Sequence, residues 1–135
     1  MKQIHFFFVF WSLSLSLVAA SNDYLAQQEF MTPEKAAAYF GKKTFDKRAF
    51  QTGSRKVRGE MSYSLIMSKA LIGKDAEYIR KELGNSDGHF WNDIIPAFLI
   101  DPSALKQNEQ WQIVALLDEN SKVKEVRIHK NCCSK

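Results

Sequence analysis

Trp111, Ile113, Ala115 and Leu117 alternate with Gln110, Gln112, Val114 and Leu116, the clearest period-two pattern in the chain. Successive strand side chains face opposite ways, so the pattern predicts a strand, and the apolar Val114 and Leu116 on its second face make that strand central. Asp118-Glu119-Asn120-Ser121 is hairpin-turn chemistry, and Val123 to His129 returns with Val126 and Ile128 inward between charged neighbours. Upstream, Asn85-Ser86-Asp87-Gly88 is dense in turn residues and leads into His89 to Ile95, an aromatic and β-branched run read as the first strand. Pro96 confines that run to a sheet edge or a bulge, because proline donates nothing to a ladder. Asp101 to Asn108 reads as a polar loop.

Before Asn85 the period is helical. Thr32-Pro33-Glu34 supplies a capping hydroxyl, a proline at the first helical position and a carboxylate at the positive end of the helix dipole, and Gly41 ends the segment. From Gly41 to Gly59 the periodicity lapses, which predicts an extended arm whose Phe45, Phe50 and Val57 dock on the main body. Met61, Leu65, Ile66 and Ala70 form one apolar stripe from about Glu60 to Leu71. After Gly73-Lys74, Asp75 caps a second helix with Ala76, Ile79 and Leu83 inward and Gly84 at its end. The expected architecture is α+β: a two-helix hairpin packed on a three-stranded antiparallel sheet, in the order ααβββ, preceded by an N-terminal arm.

The first twenty residues change the picture. Lys2 precedes the apolar and serine run Phe6 to Val18, and Ala19-Ala20 follows, the layout of a secretory signal peptide with cleavage before Ser21 or directly after it. The rival reading is a retained membrane anchor, but the run is short of the ~20 apolar residues that cross a bilayer. No cysteine stands at the cut to carry a lipid, so the expectation is a periplasmic or secreted protein, at most peripheral to the outer membrane. The chain of 135 residues then divides into a signal peptide (1–20), an arm with a short helix (21–59), a folded domain (60–130) and a tail (131–135). Net charge is +4 and falls by one when Lys2 leaves, too little to imply a nucleic-acid partner.

Candidate chemistry is sparse. There is no Gly-x-Ser-x-Gly elbow, no His-Glu-x-x-His helix and no phosphate-cradling glycine loop, so neither catalysis nor a cofactor is expected. Asp75, Asp87, Asp93 and Asp118 fall at caps and turns. Lys42, Lys43, Lys47, Arg48, Arg55, Lys56 and Arg58 crowd the arm, with Asp46 the acid among them. Arg55, Lys56 and Arg58 are therefore candidates for contact with an anionic surface or an acidic partner. Phe90 and Trp91 point to opposite faces of a regular strand, which leaves one of them for a partner or both for the core, with Trp91 packed beside Phe45 or Phe50. Cys132 and Cys133 are adjacent and cannot staple the core; they are candidate redox thiols, and with His129 and His89 they offer soft metal ligands in no recognised zinc spacing.

The run Leu71-Ile72-Gly73-Lys74, the helix Asp75 to Leu83, Leu83-Gly84-Asn85-Ser86-Asp87 and the aromatic stretch after it resemble the SmpA/OmlA family, the small BamE-like outer-membrane-assembly lipoproteins. Phe50-Gln51-Thr52-Gly53, Arg58-Gly59-Glu60-Met61 and the Trp111-to-His129 hairpin are similar to the same plan, so the likeness spans about Phe45 to Lys130. The resemblance implies a helix-helix-strand-strand-strand unit, shared with β-lactamase-inhibitor proteins, that binds protein partners in the cell envelope and has no chemistry of its own. Two features depart from the family: the lipidated cysteine is absent, and Asn85-Ser86-Asp87 stands where proline often follows the second helix. The functional expectation is an exported, non-enzymatic protein-interaction module in bacterial envelope or outer-membrane assembly or maintenance. The alternatives are a secreted inhibitor that inserts loop Ile100 to Asn108 into an enzyme, and a thiol or metal protein using Cys132 and Cys133.

Overall fold

Among the described residues, four helices begin at a side chain that takes the place of a missing backbone partner. The computed structural model describes residues 24–100 and 109–131, with a helical turn at 24–26. Elements follow in the order β1 Phe30–Met31, α1 Pro33–Phe40, α2 Lys47–Thr52, α3 Arg55–Ser68, α4 Ala76–Leu83, β2 Ala97–Ile100, β3 Gln110–Leu117 and β4 Val123–Asn131. The Thr32 hydroxyl accepts from the Lys35 N–H at 3.2 Å, Asp46 Oδ1 from Ala49 at 2.7 Å, Ser54 Oγ from Val57 at 3.3 Å and Asp75 Oδ1 from Tyr78 at 2.8 Å. Each such cap is worth about 1 kcal/mol to its helix. The stretch expected to be an extended arm is thus largely helical: α2 occupies its middle, and α3 starts at Arg55 rather than near Glu60. Its aromatics do dock, since Phe50 is buried and Phe45 packs against the core. The stripe of α3 is Met61 and Leu65, with Ile66 half-buried, whereas Ala70 lies exposed beyond the helix end.

The sheet has four strands, not three, in the order β1-β4-β3-β2, and every pairing is antiparallel. β2, β3 and β4 form a meander with β3 in its middle, and β2 lies at an edge directly after Pro96, whose missing N–H suits that position. The expected strand over His89 to Ile95 is instead a loop, because Asn92 Oδ1 accepts from the N–H groups of Ile94 and Ile95 at 3.0 and 3.1 Å and turns the chain. The added strand, β1, lies against the far end of β4, with Phe30 opposite His129 and Met31 opposite Ile128.

Both faces of the sheet are covered. Phe98, Ile100, Trp111, Ile113, Ala115, Val126 and Ile128 meet Ala36 and Phe40 of α1, Phe50 of α2, Met61 and Leu65 of α3, and Ile79 and Leu83 of α4. On the opposite face Ala97, Val114 and Leu116 join Phe90, covered by Tyr24, Leu25, Phe30 and Ile95. This second cluster is why β3 is apolar on both sides. Among the described residues no helix is long and apolar enough to cross a membrane.

Candidate functional site

The outer edge of β4 is paired at its two ends and open between them. At the start of the strand the Val123 N–H donates to Lys74 O and Val123 O accepts from the Gly73 N–H, both at 2.7 Å. At its far end, Phe30 and Met31 pair with His129 and Ile128, and the Lys130 N–H donates to Glu29 O at 2.9 Å. Thr32 and Pro33 then turn the chain into α1, so no strand among the described residues pairs the outer edge of Lys124 to Arg127.

A groove of about 430 Å³ opens at this gap. Met31, Pro33, Ile66, Ile72 and Val126 give it apolar surface, while Lys69, Lys124, Glu125 and Arg127 supply charge around it. Ile72 is 41% exposed. Glu125 pairs with Arg127 at 3.4 Å, and the Arg127 guanidinium lies 3.9 Å from the Phe30 ring centroid. Lys69 and Lys124 have no ion-pair partner among the described residues. Lys69 closes α3 in the left-handed region at φ 54°, a position glycine or asparagine occupies more easily.

A second feature lies on the opposite face. His129 is 5% exposed and sits between two amides: Gln112 Nε2 is 3.0 Å from its Nδ1 and Gln28 Oε1 is 2.9 Å from its Nε2. Gln112 also accepts the His89 N–H at 3.0 Å and donates to His89 O at 2.6 Å, so its amide ties the loop after Gly88 to the sheet. With both nitrogens satisfied in the neutral tautomer, burial pushes the His129 imidazole down to about 4. Its aromatic walls are Phe30 and Phe90, 5.5 and 4.7 Å from the imidazole centroid. A Cβ at Gly88 would collide with Gln112 Oε1, so the close approach requires glycine.

The residues singled out in the sequence divide accordingly. Phe90 is buried and Trp91 is half exposed, but Trp91 stacks on Tyr24 at 5.5 Å rather than packing beside Phe45 or Phe50. Arg58 grips Asp87 with Nη1 to Oδ1 at 3.2 Å and Nη2 to Oδ2 at 2.8 Å, and lies over the Phe50 ring at 6.0 Å, so it holds a turn of its own chain. Burial raises the Asp87 carboxyl, but hydrogen bonds from Arg58 and the Leu99 N–H outweigh it and leave the group below its ordinary value. Arg55 and Lys56 are exposed on the first turn of α3. Asp75 caps α4, Asp93 faces His89 Nδ1 at 3.3 Å, and Asp118 Oδ1 accepts from Asn120 and Lys122 in the hairpin turn.

The expected signal peptide, Cys132, Cys133 and residues 101–108, where a polar loop is expected, fall outside the described residues, and Ile100 ends β2, buried. Among the described residues no group of three or more His, Cys, Asp or Glu side chains is placed to hold a metal ion, and both nitrogens of His129 are engaged by amides. The groove has no signature in the sequence because its sides come from β1, the end of α3 and β4, and β1 has too few residues to show alternation. No protein-family model, curated protein or solved structure matches the chain.

Proposed function

We propose that the chain is an exported, non-enzymatic protein-interaction module that takes an extended segment of a partner protein along the outer edge of β4, in bacterial envelope assembly or maintenance. The observation that carries this is the interrupted ladder: strand edge at Lys124 to Arg127, beside a groove with apolar walls. An added strand gains affinity from main-chain hydrogen bonds and specificity from alternate side chains. Here one alternate set meets Ile66, Ile72 and Val126, and carboxylates in the segment face Lys69 and Lys124. One aliphatic side chain buried in the groove contributes ~2 kcal/mol and each ladder hydrogen bond ~1 kcal/mol, which after the cost of association suits a transient partner. A BamE-like ααβββ unit is supported by the order α3, α4, β2, β3, β4 and by the resemblance of the α3–α4 junction to that family. The export reading is supported by the leader-like residues Met1 to Ala20.

The test is titration with an amidated peptide of alternating aspartate and valine, followed by amide chemical shifts. The largest shifts are expected at Lys124 to Arg127, and Lys124→Glu should weaken binding about tenfold by placing like charge against the peptide. Lys69→Gly should weaken it too while raising stability by ~0.5–1 kcal/mol, because glycine relieves the left-handed backbone. Shifts clustered away from β4, or affinities unmoved by both substitutions, overturn the reading.

A further inference from the structure

The loop between Gly88 and Pro96 presents two large apolar side chains to solvent, Trp91 at 50% and Ile94 at 61% exposure. Its conformation is built. The Asn92 N–H donates to Phe90 O at 2.6 Å, Asn92 Oδ1 accepts from Ile94 and Ile95, and Phe90 and Ile95 anchor the loop in the second cluster. Trp91 itself stands in the left-handed region at φ 59°, which a bulky residue adopts only when its surroundings compel it. Those hydrogen bonds and anchors hold Trp91 half exposed, with its ring stacked on Tyr24 at 5.5 Å and an interplanar angle of 24°.

Tyr24 is also where the described chain begins, and what precedes it decides the occupant. The apolar run Phe6 to Val18 ends only six positions before Tyr24. At ~3.5 Å per residue that connection spans at most about 21 Å. Whenever the run enters a bilayer, whether as a leader or as an anchor, Tyr24 and the Trp91 stacked on it are held within that reach of the membrane. Tyrosine and tryptophan are the side chains that settle at the level of lipid headgroups, with an apolar body and a polar tip.

We propose that Tyr24, Trp91 and Ile94 form a membrane-interface contact, used while the Phe6-to-Val18 run is embedded. It faces a lipid surface on the side of the sheet opposite the helices and does not depend on the β4 groove. The experiment uses the full chain, made cell-free so that residues 1–20 are retained, in phosphatidylcholine vesicles whose acyl chains carry bromine. Emission from the Trp11→Phe protein minus that from Trp11→Phe with Trp91→Phe isolates Trp91, because Trp111 is common to both. Trp91 emission should fall by about half and shift to the blue, as expected of an indole at the interface, and Ile94→Asp should largely abolish the quenching. Equal emission in brominated and ordinary vesicles, or quenching unchanged by Ile94→Asp, overturns the proposal, and either result leaves the peptide titration at β4 unaffected.

Discussion

His129 shows what one buried side chain commits a small protein to. Gln112 Nε2 donates one hydrogen to His89 O and the other to His129 Nδ1, so Nδ1 accepts and His129 Nε2–H donates to Gln28 Oε1. A second proton has nowhere to point unless the Gln112 amide turns over and abandons both His89 bonds. The groups around the ring are the amides of Gln28 and Gln112 and the rings of Phe30 and Phe90, with Arg127 over Phe30. No carboxylate is among these contacts to stabilise an imidazolium. The folded value near 4 lies below the ordinary 6.5, so the unfolded chain binds more protons between them. The contribution is complete above pH 6.5 and is lost as pH falls toward 4, on the order of 3 kcal/mol. Urea unfolding of wild type and His129→Gln across that range should diverge, the variant showing the flatter dependence. Parallel curves would show that the histidine is not buried neutral.

At the scale of elements, the informative failure is α2 with the start of α3. Their cap residues, Asp46 before Ala49 and Ser54 before Val57, were written in the sequence, but α2 buries Phe50 alone and the first turn of α3 only half-buries Val57. A helix so short shows no period, and Gly59 read as a boundary although it lies inside α3 and is buried. By contrast α1, α4 and the β3–β4 hairpin were legible because cap, stripe and stop coincide there. Phe30 and Met31 gave no strand signal, since two residues cannot alternate measurably. The Trp91 loop misled in the opposite direction: its aromatic composition suits a strand, but Asn92 and Asp93 carry turn chemistry that prevails locally. α3 is tied to the turn before β2 by Arg58 and Asp87, and the Arg58 side chain is only 13% exposed. Arg58→Ala should cost about 2–3 kcal/mol, because it leaves Asp87 without its cation and opens space beside Phe50. Chemical denaturation measures it, and a loss under 0.5 kcal/mol would mark the pair as ornamental.

For the molecule as a whole, one sheet serves two apolar clusters of unequal weight. The helix-side cluster holds Phe50 against Phe98 at 5.8 Å, and Phe50→Ala should cost about 3–5 kcal/mol. That is a large share of the 5–15 kcal/mol available to a domain of this kind. Phe30→Ala should cost less, about 2 kcal/mol, since Phe30 is only half-buried. Its signature should be local: amide exchange rising at Phe90 and Gln112 while the helices keep their protection. A uniform rise across α1 to α4 would show that the two faces unfold as a unit.

The bookends on β4, Gly73-Lys74 at one end and Glu29 to Met31 at the other, set a size limit on what the strand can pair with. Between them runs ~13 Å of free edge at the rise of an extended chain. That length admits a few residues of a visitor and denies a second copy the long register a fibril nucleus requires. Lys124, Glu125 and Arg127 alternate in sign along the stretch and add a charge barrier to misalignment. Removing all three charges should turn a monodisperse sample into one that self-associates at high concentration, which light scattering would reveal.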